Sequence, residues 1–218
     1  MMHPDTELRF IDREVGHGVF ATRFIPRGTI TWALDEFDQV LAPAQVAALA
    51  PAQRAQVEEY AYVDARGDYV LCWDLGRYVN HGCDPTSRGI GPAFEIAVRD
   101  IEPGEQLTSD YAELNITAAF QCRCGSLRCR GVVRADDLLR HGPEWDAVVA
   151  AAVPLLDSVP QPLAPFVEGD EVLEALRSGR GTVPSRRHYY AAGHTSAAPV
   201  DGLTRGGLWR LIDLNGAA

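Results

Sequence analysis

Three cysteines share one short segment of the chain, in the spacing C-x-C-x4-C formed by Cys122, Cys124 and Cys129. Thiols at such spacing are common ligands of structural zinc. Three thiolates do not complete a tetrahedral site, however, so a fourth ligand has to come from elsewhere in the chain. Cys83 is the candidate, because it lies in a predicted turn two residues after His81. The pattern predicts one structural Zn²⁺ bound by these four cysteines, and it requires two distant segments to meet in the fold.

The fifth cysteine, Cys72, falls inside a predicted β-strand, where we expect it to pack as a small buried hydrophobic residue. Disulfide bonds or free thiols are the alternatives to zinc for the other four. A disulfide framework is disfavoured because residues 1–10 mix His, Pro, Asp, Glu and Arg, which no secretory signal does. We therefore expect a cytoplasmic protein, bacterial on its Ala- and Arg-rich composition, or a nuclear one if the source is eukaryotic.

The turn that carries Cys83 holds an unusual set of side chains. Its sequence is Arg77-Tyr78-Val79-Asn80-His81-Gly82-Cys83-Asp84-Pro85. An amide, an imidazole and a thiol thus share one tight loop that follows a β-prone run. A functional site is one interpretation of this loop, and a polar turn with one small buried cysteine is the other.

The charge balance limits the class of partner. The chain has 218 residues and a formal net charge of −10, and all 20 basic residues are arginine. Binding to phosphate backbones needs a dense cationic surface, so direct nucleic-acid binding is not expected. A basic protein or peptide suits this surface better, although solubility alone would also explain the charge. The longest apolar run, Ala147 to Val153, is too short to cross a membrane.

Two related segments predict small antiparallel sheets. Residues 21–28 and 97–104 share the pattern Ala-x-Arg-x-Ile and then reach Pro and Gly. Each predicts a hairpin, the first with strands near 18–24 and 29–34 and the second with strands near 93–99 and 106–111. Pro26 and Gly28 suit a type I turn, and Pro103-Gly104 suits a type II turn.

Helical segments are predicted in two other places. Residues 43–60 favour two short helices, with Pro51 in the first turn of the second, and strands follow near 60–64 and 68–73. After residue 133 we expect helical pieces from Ala135 to Leu156 and a short helix from Asp170 to Leu176. The basic and aromatic residues at 186–190 are interpreted as a solvated face or a packing edge.

Four motifs in one order resemble those of the SET-domain protein lysine methyltransferases. Gly16-His17-Gly18 with the following Val-Phe-Ala resembles the first motif of this family, and residues 77–85 resemble the second. The run Gly104-Glu-Gln-Leu-Thr-Ser-Asp110-Tyr111 resembles the third. The three-cysteine segment resembles the post-SET segment, which shares one zinc with the cysteine of the second motif. The resemblance covers about residues 7–131.

The resemblance implies a fold and a division of the chain. The fold is mainly β, with small sheets wrapped so that a C-terminal segment threads a loop as a pseudoknot. A short helical insert at about 43–60 and a helical C-terminal extension are added to it. The implied domains are a SET catalytic domain at 1–115, a post-SET zinc segment at 116–133 and the extension at 134–218.

The resemblance also implies S-adenosyl-L-methionine as the cofactor and assigns roles to residues. Asn80 and His81 would contact the cofactor, the backbone at Gly16, His17 and Gly18 would lie along its methionine part, and Arg77 and Tyr78 would flank the adenosine. Tyr111 would be the catalytic tyrosine. Many family members carry a second active-site tyrosine near position 32, where this chain has Trp32. Tyr60 or Tyr62 is expected to replace it.

Two further departures from the family pattern affect the functional expectation. Thr86 stands where the family usually has Asn, and Ser109 stands where Phe or Tyr helps to set the number of methyl groups added. The sequence therefore does not predict that number. The leading hypothesis is a protein-lysine N-methyltransferase that acts on a basic protein, such as a histone, histone-like or ribosomal protein. The alternatives are a catalytically silent SET fold that binds cofactor or partner, and a zinc-centred nucleic-acid binder, which the negative charge disfavours.

Overall fold

The computed structural model describes residues 1–190, and the part of the predicted extension after residue 190 lies outside the described residues. The strands are β1 (Thr6–Asp12), β2 (Gly16–Ala21), β3 (Ile30–Ala33), β4 (Gln39–Leu41), β5 (Tyr62–Val63), β6 (Tyr69–Leu71), β7 (Asn80–His81), β8 (Ser87–Ile90), β9 (Phe94–Ala97), β10 (Gln106–Ser109), β11 (Phe120–Gln121) and β12 (Val132–Val133). The α-helices are α1 (Pro43–Ala48), α2 (Pro51–Tyr60), α3 (Asp137–Ala150) and α4 (Glu171–Arg177). Short 3₁₀ helices cover Leu75–Tyr78, Tyr111–Leu114, Val153–Ser158, Ala164–Phe166 and Arg186–Tyr189.

The strands form several small sheets, which confirms the predicted mainly β fold. The sheet orders are β1-β2-β10-β7, β3-β9-β8, β4-β6-β5 and β11-β12. The helical insert is also confirmed: α1 and α2 lie between β4 and β5, and Pro51 is the first residue of α2 because a proline is tolerated where the helix has no backbone bond to lose.

The two predicted hairpins are wrong, because the strands of each pair with other partners. β2 pairs with β1 and β10, whereas β3 pairs with β9. The two related segments instead bond to each other around a local two-fold axis. Each backbone hydrogen bond made by one segment has a counterpart made by the other. Ala21 N donates to Glu105 O at 2.9 Å, and Ala97 N donates to Thr29 O at 2.8 Å. Likewise Gly104 N donates to Ala21 O at 2.7 Å and Gly28 N to Ala97 O at 2.8 Å, while Ile25 and Ile101 bond to each other in both directions, at 3.0 and 2.9 Å. The internal repeat therefore marks a symmetric contact between two segments.

The turns after these segments are of one kind. In the turn that follows the first segment, the Pro26 carbonyl accepts a hydrogen bond from Thr29 N, so Pro26 is the first residue of the turn. Gly28 is therefore its third residue and has a φ of 91°. A positive φ at that position is the mark of a type II turn, so the predicted type I turn is wrong. In the second, Gly104 has a φ of 84° at the same position, in line with the predicted type II turn.

β10 lies at a crossing that places the first, second and third motifs side by side. It runs antiparallel to β2 and parallel to β7, with Thr108 opposite Asn80 and Ser109 opposite His81. Parallel neighbours cannot be joined by a tight turn, so the chain leaves the sheet after β7 and returns as β10. This is the crossing expected of the predicted pseudoknot, and it brings Tyr111, just after β10, next to the Asn80-His81 pair.

The C-terminal extension shares a hydrophobic core with the sheets. Val149, Leu156, Leu163 and Leu173 are buried in one cluster with residues of β3, β8 and β9. The side chain of Gln161 adds polar contacts, since it accepts from Ile30 N and donates to the carbonyl of Gly28, both at 2.8 Å. The described part of the extension is therefore continuous with the sheets, while the predicted domain limits stay predictions.

A buried network of ion pairs joins the crossing to the segments that follow it. Asp110 is 1% exposed and binds the guanidinium of Arg130 through two bonds of 2.7 Å. Arg88 contacts Glu113, and Arg186 lies 3.0 Å from the same carboxylate. Within the basic cluster at 186–190, Arg186 is thus buried, whereas Arg187 and His188 are exposed.

No helix among residues 1–190 is long and apolar enough to cross a membrane.

We expect Leu156→Ala to lower the free energy of unfolding by about 2–5 kcal/mol, because Leu156 is 2% exposed and its loss leaves a cavity. Leu155→Ala is the matched control, since Leu155 is 36% exposed, and it should cost clearly less. Urea denaturation of both variants measures the difference. Equal and small losses would show that the extension does not share the core.

We expect Asp110→Asn to lower the free energy of unfolding by about 1–3 kcal/mol, because it weakens both charged bonds to Arg130 and leaves Asp137, at 3.3 Å, as the remaining carboxylate beside that guanidinium. Asp136→Asn removes the exposed pair of Asp136 with Arg140 (2.6 Å) and should change stability by less than about 1 kcal/mol. Denaturation of the two variants in parallel provides the measurement. Similar effects for both would contradict a central role of the buried pair.

Candidate active site

Two cavities are lined by residues in and next to β7 and β10. The larger, called the cleft below, has a volume of about 460 Å³ and is lined by residues that include Ile11, Asn80, His81, Gln106 and Thr108. The smaller, called the inner cavity, has a volume of about 100 Å³ and is lined by residues that include Trp32, Tyr62, Glu95, Ser109 and Tyr111. The cleft has the size of a small-molecule site, and the inner cavity has room only for a slender group.

The wall of the cleft explains why glycine stands at position 18. A Cβ added at Gly18 would come within 2.9 Å of the Asn80 amide nitrogen and 2.5 Å of Gln106 Nε2. Asn80 in turn donates to the His17 carbonyl at 2.9 Å, which holds the first and second motifs together. Gln106 Nε2 is buried without a hydrogen-bond partner among the described residues, so the cleft holds an amide donor for a polar ligand.

The other residues predicted to bind the cofactor are not among the described residues that line the cleft, although Val15, the neighbour of Gly16, is. Gly16 has a φ of 78°, which a residue with a side chain rarely adopts. The rings of His17 and Tyr78 lie 6.1 Å apart. Arg77 donates to the carbonyl of Trp73 at 2.6 Å. Of these residues, His17 contacts both Asn80 and Tyr78.

Tyr111 connects the two cavities. Its hydroxyl donates to the Val79 carbonyl at 2.6 Å, and both residues line the inner cavity. Its backbone N–H donates to His81 Nδ1 at 3.2 Å, and His81 lines the cleft. The tyrosine predicted to be catalytic therefore lines the inner cavity and is bonded through its backbone to a residue that lines the cleft.

Of the two tyrosines expected to replace the missing one, the structure places Tyr62 in the inner cavity. Its ring meets Trp32 edge-on at 6.0 Å, and burial raises the pKa of its hydroxyl well above the usual value, so it stays protonated. Tyr60 packs on Tyr78 at 5.4 Å and is not among the described residues that line the inner cavity. The structure therefore brings Tyr62, and not Tyr60, next to Tyr111.

The departure at Thr86 has a structural reason. Thr86 is fully buried, its hydroxyl donates to the Thr108 carbonyl at 3.2 Å, and it accepts from Thr108 N at 2.8 Å. The threonine thus fixes the end of the Asn-His loop to β10.

A cluster of metal-binding side chains lies behind the cleft. Ligand atoms of His81, Cys83, Cys122 and Cys124 all lie within 4.8 Å of one another. The sulfurs of Cys83 and Cys122 are 3.7 Å apart, close to the separation of about 3.8 Å that two thiolates adopt around tetrahedral zinc. The cysteines of two distant segments therefore do meet, as the spacing predicts.

Several hydrogen bonds in this cysteine cluster are donated to cysteine sulfurs, which favours the thiolate form. The Cys122 thiol and the Arg130 N–H (3.4 Å) are both bonded to Cys83 Sγ, and the bond from Cys122 is the main cause that lowers the pKa of Cys83. Cys124 N donates to Cys122 Sγ at 3.4 Å. Backbone donors of this kind stabilise metal-bound sulfur. The residues present therefore fit a zinc ion.

The roles of His81 and Cys129 in the cluster are less direct. His81 Nδ1 accepts from Tyr111 N, so Nε2 carries the ring proton and donates to Cys83 Sγ at 3.3 Å. Cys129 lies outside the closest group, with its sulfur 3.7 Å from the Cys122 carbonyl and 3.5 Å from Gly131 N, and it packs against the same hydrophobic cluster. Of the four predicted cysteine ligands, three thus lie in the closest group, and His81 is its fourth member in place of Cys129.

Cys72 is separate from this cluster. It is 5% exposed and packs with Met2 and Trp32, and burial raises the pKa of its thiol. This confirms the prediction that Cys72 is a small buried hydrophobic residue.

Two residues that line the cavities were not predicted from the sequence, namely Glu95 and Gln106. Glu95 lies in the alternating run Phe94-Glu95-Ile96, which indicates a strand with its glutamate facing solvent. Gln106 lies within the third motif, but the motif assigned it no role. No local pattern points to either, since only the arrangement of the sheets turns them inward.

Comparison with known proteins identifies one region of the chain. Residues 16–112 match the SET domain family. Histone-lysine N-methyltransferase ASHH2 of Arabidopsis thaliana is 35% identical over 74 residues, 30% of this chain and 4% of that protein. Histone-lysine N-methyltransferase Set2 of Drosophila melanogaster is 30% identical over 99 residues, 40% of this chain and 4% of that protein.

A longer match extends over more of the chain. The H3 lysine-9 specific histone-lysine N-methyltransferase of Schizosaccharomyces pombe is 29% identical over 157 residues, 56% of this chain and 31% of that protein. The chain thus spans less than a third of the length of each of these relatives. The family match covers the three motifs around the crossing, and the cysteine cluster follows it directly. Residues 16–112 of this chain therefore match the SET domain family, and a cluster of cysteines that could hold a metal ion follows the matched region.

Proposed function

We propose that the protein is an S-adenosyl-L-methionine-dependent protein-lysine N-methyltransferase. The observation that carries this proposal is the position of Tyr111 between two cavities, one lined by Asn80 and His81 and the other narrow and largely apolar. A methyl donor in the cleft and a lysine side chain in the inner cavity would meet at this tyrosine. The SET domain and the histone-lysine methyltransferases similar to it support the same activity.

The cleft offers groups that fit S-adenosyl-L-methionine. When bound, the cofactor supplies an electrophilic methyl group on a sulfonium ion. The bare backbone at Gly18 allows close approach of a ligand, and Gln106 Nε2 offers a donor for its carboxylate or hydroxyl groups. Asn80 is held by its bond to the His17 carbonyl, so its side chain is oriented before the cofactor binds.

The chain's own residues favour the reactive form of the lysine. The amine must be neutral to act as a nucleophile, whereas lysine in water has a pKa of about 10.4. Burial among Trp32, Tyr62 and Leu107 disfavours the charged ammonium form. Tyr111 and the Val79 carbonyl provide polar atoms that would orient the nitrogen, and the narrow cavity excludes competing water.

Zinc, in this proposal, fixes the cysteine segment against the crossing. Cys83, Cys122, Cys124 and Cys129 would hold one ion, with His81 donating to Cys83 instead of binding the metal. His81 would thereby link the metal cluster to Tyr111, whose backbone it accepts from. The metal would thus stabilise the position of the catalytic turn.

The substrate that we propose is a lysine-containing basic protein or tail. The formal net charge of −10 favours cationic partners through long-range attraction. The similar proteins named above are histone-lysine methyltransferases, which makes a histone or a comparable basic protein the first substrate class to test.

Tyr111→Phe should reduce methyl transfer at least about 100-fold while the affinity for S-adenosyl-L-methionine changes only a few-fold, because the hydroxyl faces the inner cavity and not the cleft. The measurement is transfer of labelled methyl groups to a panel of basic proteins, with calorimetry for cofactor binding. Tyr69→Phe, on β6, is the control variant and should keep full activity.

The outcomes separate the proposal from its alternative. Label on lysine that disappears in Tyr111→Phe supports the enzyme, and unchanged turnover in this variant would remove Tyr111 from the mechanism. Cofactor binding without methyl transfer to any protein of the panel would favour a silent SET fold that binds a partner.

The purified protein should contain one zinc ion per chain, and Cys122→Ala should lose it and unfold at a lower temperature, because structural zinc contributes directly to folding. Cys72→Ala is the control and should keep the metal. Elemental analysis and thermal unfolding of both variants test this. Cys129→Ala should also lose zinc, and retention there with loss in His81→Ala would make His81 the fourth ligand.

A further inference from the structure

A glutamate faces the inner cavity beside the tyrosine proposed to be catalytic. Glu95 lies on β9, the central strand of its sheet, opposite Trp32 of β3 and Gly89 of β8. It is surrounded by protein, yet part of its surface stays accessible because it borders the cavity. Its carboxylate accepts from the Ser109 hydroxyl at 2.8 Å. Burying a carboxylate costs free energy unless the charge is paired, so a cationic partner is expected at this position.

No such partner lies within the described part of the chain. Among residues 1–190, no cationic side chain comes within ion-pair distance of Glu95. The two nearest arginines, Arg88 and Arg186, are both engaged with Glu113 instead. Glu95 is therefore an acid without a counter-ion, on the wall of a cavity that a cation could enter.

Other polar groups of the cavity are also unpaired. The indole N–H of Trp32 and the hydroxyl of Ser87 are buried and have no hydrogen-bond partner among the described residues. Trp32 is 9% exposed and Ser87 is 3% exposed, and both line the inner cavity. Buried polar groups are nearly always satisfied, so these atoms indicate a cavity that is completed by a polar ligand or by water.

The titration of Glu95 suits contact with a lysine side chain. Burial raises the pKa of Glu95 to about 7, the bond from Ser109 lowers it, and the negative charge of Glu113 raises it. The titratable and charged groups that face Glu95 from the surrounding elements are Tyr62, Cys72, Arg88, Glu113 and Arg186. Near neutral pH the group can therefore both bind a cation and accept a proton.

We propose that Glu95 binds the ε-ammonium ion of the substrate lysine in the inner cavity and accepts its proton. This rests on the proposed function and names the chemistry of the same site. One N–H bond of the ammonium breaks, an O–H bond forms on the Glu95 carboxylate, and the nitrogen keeps the electron pair. The neutral amine is then left beside Tyr111, and the proton passes to solvent water before the next substrate binds.

Ser109 acts in this proposal as a positioning residue. Its hydroxyl fixes the carboxylate and favours the ionised form. A phenylalanine there would offer no hydrogen bond, and its ring would fill the space that the carboxylate occupies. Ser109 and Glu95 are therefore coupled, because the serine supplies the hydrogen bond that the buried carboxylate needs.

The test uses n-butylammonium chloride as a probe of the lysine side chain, added to the full-length protein with bound S-adenosyl-L-homocysteine. At pH 8.5 the carboxyl is ionised, and Glu95→Gln should weaken probe binding about tenfold or more while it keeps the shape and the acceptor for Ser109. Pentan-1-ol, a neutral probe of similar size, should bind both proteins alike. Glu102→Gln, at an exposed site, is the matched control.

The pH dependence supplies a readout that a structural role would not change. Wild-type binding of n-butylammonium should fall as the pH drops through the pKa of Glu95, and binding to Glu95→Gln should stay flat over that range. Ser109→Ala removes a bond that lowers the pKa, so the loss of binding should move to higher pH. Circular dichroism of each variant confirms that it is folded.

Equal binding of n-butylammonium by wild type and Glu95→Gln, or no binding by either, would overturn this inference. The outcome is independent of the proposed activity. Methyl transfer by the wild type together with equal probe binding would retain the enzyme and reject Glu95. Probe binding that depends on Glu95, without methyl transfer to any protein, would retain the cation site and reject the proposed reaction.

Discussion

The buried pair of Asp110 and Arg130 holds together the parts on which the rest of the site depends. Asp110 directly precedes Tyr111 and caps the short helix that follows, through a bond from Ala112 N at 3.2 Å. Arg130 belongs to the cysteine segment, and its backbone donates to Cys83 Sγ. One carboxylate therefore ties the turn of Tyr111 to the metal cluster. Such a pair is costly to bury, and its value lies in the single geometry that it allows.

The crossing and the metal cluster constrain the same residues from opposite sides. β10 fixes Asn80 and His81 by backbone pairing, and the cysteines fix the loop that follows them. His81 makes contacts on both sides, to Tyr111 N and to Cys83 Sγ. A loop that is held twice has few alternative conformations, which is the preorganisation that a positioning mechanism requires. Loss of either constraint would free the loop that carries Asn80 and His81, two of the residues that line the cleft.

Much of this site follows from local sequence, because its motifs are short. The spacing of the cysteines predicts the meeting of Cys83 with Cys122 and Cys124, and proline at position 51 predicts the start of α2. The pairing of strands does not follow from local sequence. β2 and β10 pair because the two repeated segments bond across a local two-fold axis, a contact between distant residues. The inward position of Glu95 has the same origin, since a strand flanked on both sides buries residues that alternation assigns to solvent.

The same burial acts on both partners of the proposed proton transfer. Between a carboxyl group with a pKa of about 7 and a lysine in water with a pKa of about 10.4, transfer is unfavourable by about 4–5 kcal/mol. Burial lowers the pKa of a lysine by as much as about 3–5 units, which removes most of this difference. An ordinary glutamate with a pKa near about 4.3 would hold the ammonium as an ion pair and release the amine less readily. The raised pKa of Glu95 is therefore compatible with the proposed delivery of a neutral amine in this cavity.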